Sequence, residues 1–249
     1  MKRYYYLLIL FLLATFSVQA SNFKVLVLTE RGGLHEGFVV AALDWLEQFS
    51  KEKNFEYKVV NDAKNFTDDS LAEYQIFLQL NFPPYMWSKE SEKAFIKYIE
   101  EGRVGWIGFH HAALLGEFDG YPMWQWFSAF LGDIVYKNYI AETVSGTVCV
   151  EDMKHPIMKG VNPVFTVEND EWYIFNKNPR SNVHVLAHVD EASYQPASDI
   201  KMGDHPVIWV NEKVKARNVY FLMGHHAKLL NNEDFKTMLG NAIMWTAGK

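Results

Sequence analysis

Cysteine is nearly missing from this sequence: Cys149 is the single one among 249 residues. No intramolecular disulfide can form, so no framework of bridges staples the fold. In "GTVCVED" the residue alternates like a half-buried strand position, where a thiol behaves as a small apolar group. Positive charge is also scarce, with 24 Lys and Arg against 30 Asp and Glu. That balance argues against nucleic acid or an anionic membrane surface as partner, because either requires concentrated positive charge.

A long apolar run occurs only at the start. "MKRYYYLLILFLLATFSVQA" carries Lys2 and Arg3, then an apolar stretch too short to span a bilayer with margin, then Val18-Gln19-Ala20. This is the pattern of a secretory signal peptide, residues 1–20, with small residues at positions −3 and −1 of a cleavage site after Ala20. No cysteine follows it, so a lipid-anchored form is not indicated. Without Lys2 and Arg3 the mature chain has 22 basic and 30 acidic residues, a formal charge of −8. It is expected to be periplasmic or secreted, with no membrane insertion after cleavage. Linkers, low-complexity stretches and long repeats are missing too, so residues 21–249 are expected to form one domain around one core.

What is present is an alternation of strands and helices. "FKVLVLTE" reads as a strand covered on both faces, "RGGLHEG" as a glycine-rich turn, and "FVVAALDWLEQFSKEK" as a helix with Val39, Val40, Leu43, Leu46 and Phe49 on one face. "EYKVVND" and "QIFLQL" read as strands flanking the short helix "DDSLAEY". Ser88 opens "SKESEKAFIKYIEEG" as an N-cap, Gly102 stops that helix, and "VGWIGF" is the fourth strand. "YPMWQWFSAFLGD" reads as helical, "ETVSGTVCVED" as a strand, and "NPVFTVENDEWYIF" as an excursion with short strands of its own. "VHVLAHVDE", "HPVIWVNE" and "NVYFLMG" return to strand character, and residues 234–247 close the chain as a helix. The expected fold is α/β, a three-layer sandwich of flavodoxin-like type with a mostly parallel sheet and helices on both faces.

In such a sheet ligands bind at the carboxyl ends of the strands. That rule gathers Glu30, Arg31 and His35 after the first strand, His110 and His111 after the fourth, and His225 and His226 after "NVYFLMG". Five of nine histidines thus follow three strands. Because strand side chains alternate, one histidine of each doublet is expected to face the cleft. His110 and His225, first after their apolar runs, are the better candidates, with His111 and His226 packing or capping the next turn. Acidic partners that could orient an imidazole or share a metal come from "VENDEWYIF", with Glu168, Asp170 and Glu171, and from "KMGDHPVIW", with Asp204 and His205.

No HExxH or other local ligand spacing marks a zinc site, although a divalent metal stays open as a cofactor. Nucleotide binding lacks both GxGxxG and the P-loop lysine. The chemistry that remains is acid and base work by His with Asp or Glu on a polar substrate. The aromatic content, 16% with eight tryptophans, is compatible with sugar stacking by Trp106, Trp124, Trp126 or Trp172, and equally with a packed core.

Several segments in order resemble the ThuA-like (trehalose-utilisation) family, itself similar in fold to class I glutamine amidotransferases. They are "KVLVLTERGGLHEGF", "GWIGFHHAA", "NDEWYIF", "DHPVIWV", "RNVYFLMGHH" and "FKTMLGNAIMWTAG", spanning about residues 23–248. The resemblance places the family's polar positions on His35, His110, Glu171 and His225. His111 departs from it, standing where the family has a small residue, and the first loop lacks the family's Arg-His pairing. Amidotransferases of this fold carry a cysteine nucleophile after the central strand. Here that turn reads "GFHHAA", so glutamine hydrolysis by a Cys-His pair is not expected.

The resemblance implies disaccharide metabolism. The expected function is processing of a glycoside or keto-sugar, with catalytic His110, His225, Glu171 and His35, and with His111, Asp170, Trp172, Asp204 and His226 contacting substrate. The alternative is a non-catalytic carbohydrate-binding protein. The export expectation has its own check: intact-mass analysis of the protein from a periplasmic or culture fraction should find a chain starting at Ser21, and retention of residues 1–20 there would refute it.

Overall fold

The computed structural model describes residues 22–103 and 105–249, so the expected signal peptide lies outside the described residues. The first half is a regular alternation: β1 (Lys24–Thr29), α1 (Glu36–Lys53), β2 (Glu56–Val60), α2 (Asp68–Ala72), β3 (Ile76–Leu80), α3 (Lys89–Glu100) and β4 (Gly105–Phe109). Its local logic matches the sequence. Ser88 accepts a hydrogen bond from the Ser91 N–H at the start of α3, Thr67 caps α2 reciprocally with Ser70, and α1 ends at Asn54 in the left-handed region.

The second half contains α4 (Gln125–Phe130), β5 (Tyr136–Tyr139), β6 (Val144–Val150), β7 (Val164–Asp170), β8 (Tyr173–Phe175), β9 (His184–Gln195), β10 (Pro206–Val210), β11 (Asn218–Phe221) and α5 (Glu233–Thr246). Helix α4 is shorter than its apolar pattern suggests. Pro122 precedes it, and Gly132 and Asp133, both at positive φ, follow it.

One nine-stranded sheet runs in the order β2-β1-β3-β4-β11-β10-β9-β6-β7. Strands β2, β1, β3, β4 and β11 pair in parallel. From β11 outward every pairing is antiparallel. The reason is connection length: the segments joining β9, β10 and β11 contain no helix, and a parallel crossover needs one. Strands β5 and β8 form a separate antiparallel pair beside the main sheet.

Strand β4 is buried throughout and divides the core. On one face Phe109 stacks on Phe221 with ring centroids 5.0 Å apart and meets Phe38 of α1 and Phe235 of α5. On the other, Trp106 packs edge-on against Phe127 and Phe130, next to a cluster of Phe77, Phe95 and Trp87. The tryptophan content is therefore core. Trp106, Trp124 and Trp172 are buried, and Trp126 stacks on Phe130 while its indole N–H donates to Glu100. Of the four only Trp126 is partly exposed, and it does not line the cleft described below.

The Trp106 indole lies across Gly108 and donates to the Gln79 side chain at 3.0 Å. A β-carbon at Gly108 would stand 2.1 Å from two indole carbons. Gly108→Ala must expel a buried ring, so a stability loss of about 1–3 kcal/mol is expected, read as a lowered denaturation midpoint at unchanged m-value. Wild-type stability would show the packing argument to be wrong.

Candidate functional site

The carboxyl ends of β1, β3, β4 and β11 meet at one place, and the polar side chains that follow them converge there. Glu30 leaves β1, Asn81 leaves β3, His110 and His111 leave β4, and Gly224 and His225 follow β11. Strand β7 supplies Asp170 and the adjacent Glu171 from the antiparallel side, because its end pairs with the start of β6. His35 stands at the N-terminus of α1, where its side chain makes no cap hydrogen bond. Its imidazole faces the cluster.

His110 is the most constrained of these residues. Its ring is fully buried, its φ is +41, and its carbonyl accepts from the Tyr220 hydroxyl at 2.9 Å. The imidazole stacks on Tyr173 with centroids 4.1 Å apart. Its Nδ1 lies 2.8 Å from the Leu222 carbonyl oxygen. A carbonyl only accepts, so Nδ1 carries the proton and donates. Nε2, 3.0 Å from Glu171 Oε2, is then the lone-pair nitrogen of a neutral ring. Burial pushes the His110 pKa down to about 3, which agrees with the neutral form.

The rest of the cluster is equally close. His35 Nδ1 lies 3.2 Å from Glu30 Oε2, and His35 Nε2 lies 3.0 Å from His225 Nδ1. His225 Nδ1 is also 3.5 Å from Glu171 Oε2. His111 Nδ1 sits 3.0 Å from the same Glu30 oxygen that meets His35. Burial would raise Glu30, but His111 and His35 outweigh it and hold the carboxyl at about 2. Burial also opposes ionisation of Glu171, yet its contact with His225 lowers it below the carboxylate range. Burial lowers His35 despite Glu30. For His225 burial is outweighed by Glu171, and the pKa rises.

Asp170 anchors the β11 end. Its carboxylate is completely buried and accepts from the Gly224, His225 and Glu171 backbone N–H groups, the last at 2.8 Å. Burial raises it to about 6 against those bonds.

A cleft of about 450 Å³ opens over the cluster, a size suited to a small-molecule ligand. Glu30, His35, His111, Glu171 and His225 form its polar floor, and Tyr173, Tyr136, Tyr139, Phe118 and Leu34 its apolar wall and rim. Leu34, 82% exposed, projects from the glycine-rich loop after β1.

The structure thus brings together His35, His110, Glu171 and His225, whose donor atoms all lie within 4.8 Å of one another. Other expected placements need correction. The doublet after β4 does not split by strand alternation, because the strand ends at Phe109 and a 3₁₀ turn begins at His110. His110 is sealed beneath the floor while His111, 17% exposed, lines the cleft. His226 is exposed and only caps the turn at Ala227–Asn231. Trp172 is fully buried with its indole N–H on the Val144 carbonyl. Asp170 holds backbone and has no exposed surface to offer a substrate. Asp204 is a surface residue bound to Arg180 and Asn178, drawn outward by that guanidinium.

Sequence reasoning left Glu30 among the strand-end residues without a role, although its place directly after β1 was the available signal. The tyrosines of β5 and β8 carried no such signal, since only their pairing brings them to the cleft. Cys149 lies on β6 opposite Val164 and His188 and does not line the cleft.

Asp170→Ala leaves three backbone donors without their acceptor. A loss of about 1–3 kcal/mol is expected, measured by chemical denaturation, together with a shifted His225 imidazole resonance. Unchanged stability and an unmoved His225 signal would remove Asp170 from its anchoring role.

Among curated proteins none matches the chain. Among solved structures it resembles a ThuA-like protein from Bacteroides uniformis, at 27% identity and TM-score 0.80 over 92% of both chains. A ThuA-like protein from Parabacteroides merdae matches at 17% identity and TM-score 0.67 over 91% of each chain. The glutaminase domain of Trypanosoma brucei CTPS matches at 8% identity and TM-score 0.54, covering 91% of this chain and 94% of that one, which shows the shared fold. The family model described as "ThuA: Trehalose utilisation" matches residues 24–246. With nearly the whole described chain matched, the protein belongs to the ThuA family, which implies a role related to trehalose utilisation.

Proposed function

We propose that this cleft processes a disaccharide-type substrate, a glycoside or an oxidised keto-sugar, by proton transfer between histidine and carboxylate groups in the periplasm or outside the cell. The observation that carries the reading is the cleft itself: three histidines and two carboxylates beneath an aromatic wall, with a fourth histidine, His110, under the floor. A proton next to a sugar carbonyl is acidified by that carbonyl, and a positioned imidazole can take it up and return it to a leaving oxygen. His111 is suited to this role. It is the most open of the four imidazoles, and Glu30 fixes its ring through Nδ1. His35, Glu171 and His225 form the polar floor against which the sugar oxygens would lie, with His110 beneath it. Tyr136 and Tyr139 offer ring faces and hydroxyls for a pyranose, and the buried Tyr173 backs the wall behind them. Burial, with Glu171 and Tyr139 nearby, raises the Tyr136 hydroxyl to about 12, so it stays a donor.

The competing reading is a protein that binds sugar without turning it over, favoured only by the same aromatic wall. A mass-spectrometric screen of native and keto-disaccharides separates the two. Turnover by wild type, reduced at least about 100-fold in His111→Ala with sugar affinity kept within a few-fold, is the expected outcome. Binding without turnover across both substrate sets would favour the competing reading.

A further inference from the structure

We propose that His35 Nε2, His110 Nε2, Glu171 and His225 Nδ1 form a binding site for one divalent transition-metal ion of the zinc class. This inference rests on donor geometry and stands whatever the substrate is.

The first argument is a proton count. His110 Nδ1–H is committed to the Leu222 carbonyl at 2.8 Å, so Nε2 turns a lone pair toward the Glu171 carboxylate 3.0 Å away. Two acceptors at that distance repel unless a positive centre lies between them. His35 likewise leaves one ring nitrogen open to the centre of the cluster. Its Nδ1 faces Glu30 at 3.2 Å, which leaves Nε2 as a lone pair directed at His225 Nδ1, 3.0 Å off. A single cation among the four atoms satisfies all of these lone pairs at once.

The second argument is distance. Zinc binds His and carboxylate donors at about 2.0–2.2 Å, so ligands on a tetrahedron stand about 3.3–3.5 Å apart. The cluster's near separations of 3.0, 3.0 and 3.5 Å bracket that value, and all four donors fit within 4.8 Å.

The third is the support around the donors. A ligating imidazole ordinarily donates its other N–H to a carbonyl or carboxylate. His110 does so to Leu222 and His35 to Glu30, while Asp170 fixes the backbone of His225 and Glu171. Nitrogen and oxygen donors without thiolate suit zinc, cobalt, nickel or manganese rather than Cu(I). The four residues are scattered over 190 positions, which is why no short ligand spacing announces them. An ion here would polarise a sugar carbonyl or hydroxyl entering the cleft.

The test uses the mature chain without a His tag, stripped with chelator and titrated with Zn²⁺ by calorimetry and with Co²⁺ by visible absorption. One equivalent per chain is expected, with cobalt d–d bands and a raised Tm. His35→Ala and Glu171→Gln should each weaken Zn²⁺ binding at least about 100-fold, and Glu30→Gln about 10–100-fold, while surface His226→Ala should leave it unchanged. No saturable uptake by folded wild type, or equal loss in His226→Ala, would overturn the proposal. Metal uptake without sugar turnover sinks the sugar reading alone, and keto-sugar turnover by protein that takes up no metal sinks this one alone.

Discussion

The hydrogen bond from His110 Nδ1–H to the Leu222 carbonyl organises everything around it. It ties the end of β4 to the end of β11, the two neighbouring parallel strands at the middle of the sheet. It also selects the tautomer, and so decides that Nε2 meets Glu171 as a lone pair. Holding the bond requires a left-handed backbone at His110, a conformation that costs a residue with a β-carbon about 1–2 kcal/mol. The Tyr220 hydroxyl on its carbonyl and the Tyr173 ring on its imidazole hold that backbone in place. Without the bond, nothing else fixes the tautomer and direction of the imidazole, although β4 and β11 remain paired through their backbones.

Charge follows from the same arrangement. Two carboxylates, Glu30 and Glu171, remain ionised in largely buried positions because His111 and His35 flank the first and His225 the second. Asp170 is different in kind: it is sealed off, bound to three backbone N–H groups, and raised to about 6. One acidic segment after β7 therefore divides its labour. Asp170 builds the floor from beneath, and Glu171 presents its carboxylate from the floor into the cleft. A buried carboxylate without partners would be neutral instead, so the histidine positions and Glu171 are interdependent.

Much of this was legible in the sequence, for physical reasons that can be named. Strand β4 and helix α3 were readable because continuous burial and an N-cap serine are local signals. His35, His110 and His225 were readable because functional groups collect at strand ends in a parallel sheet. The order of the antiparallel extension was hidden in pairing choices that no single segment encodes. Tyr136, Tyr139 and Tyr173 reach the cleft only through the β5–β8 pair, which depends on that tertiary arrangement. Trp172 misled for a related reason. In "NDEWYIF" it is chemically the best sugar platform, but on its turn it points inward and its neighbour Tyr173 takes the cleft side.

The failure of alternation at "FHHAA" is the most informative departure. Alternation presumes that both histidines belong to the strand, and the positive φ at His110 ends the strand one residue earlier. His110 is turned into the core, where its ring has no exposed surface and its Nδ1 is bound to backbone. An imidazole so placed cannot attack a substrate, but it can hold a charge or an ion at a fixed point. The exposed role passes to His111, the next residue, which the 3₁₀ turn swings onto Glu30 and into the cleft. One turn thus anchors one imidazole in the core and exposes another to the cleft.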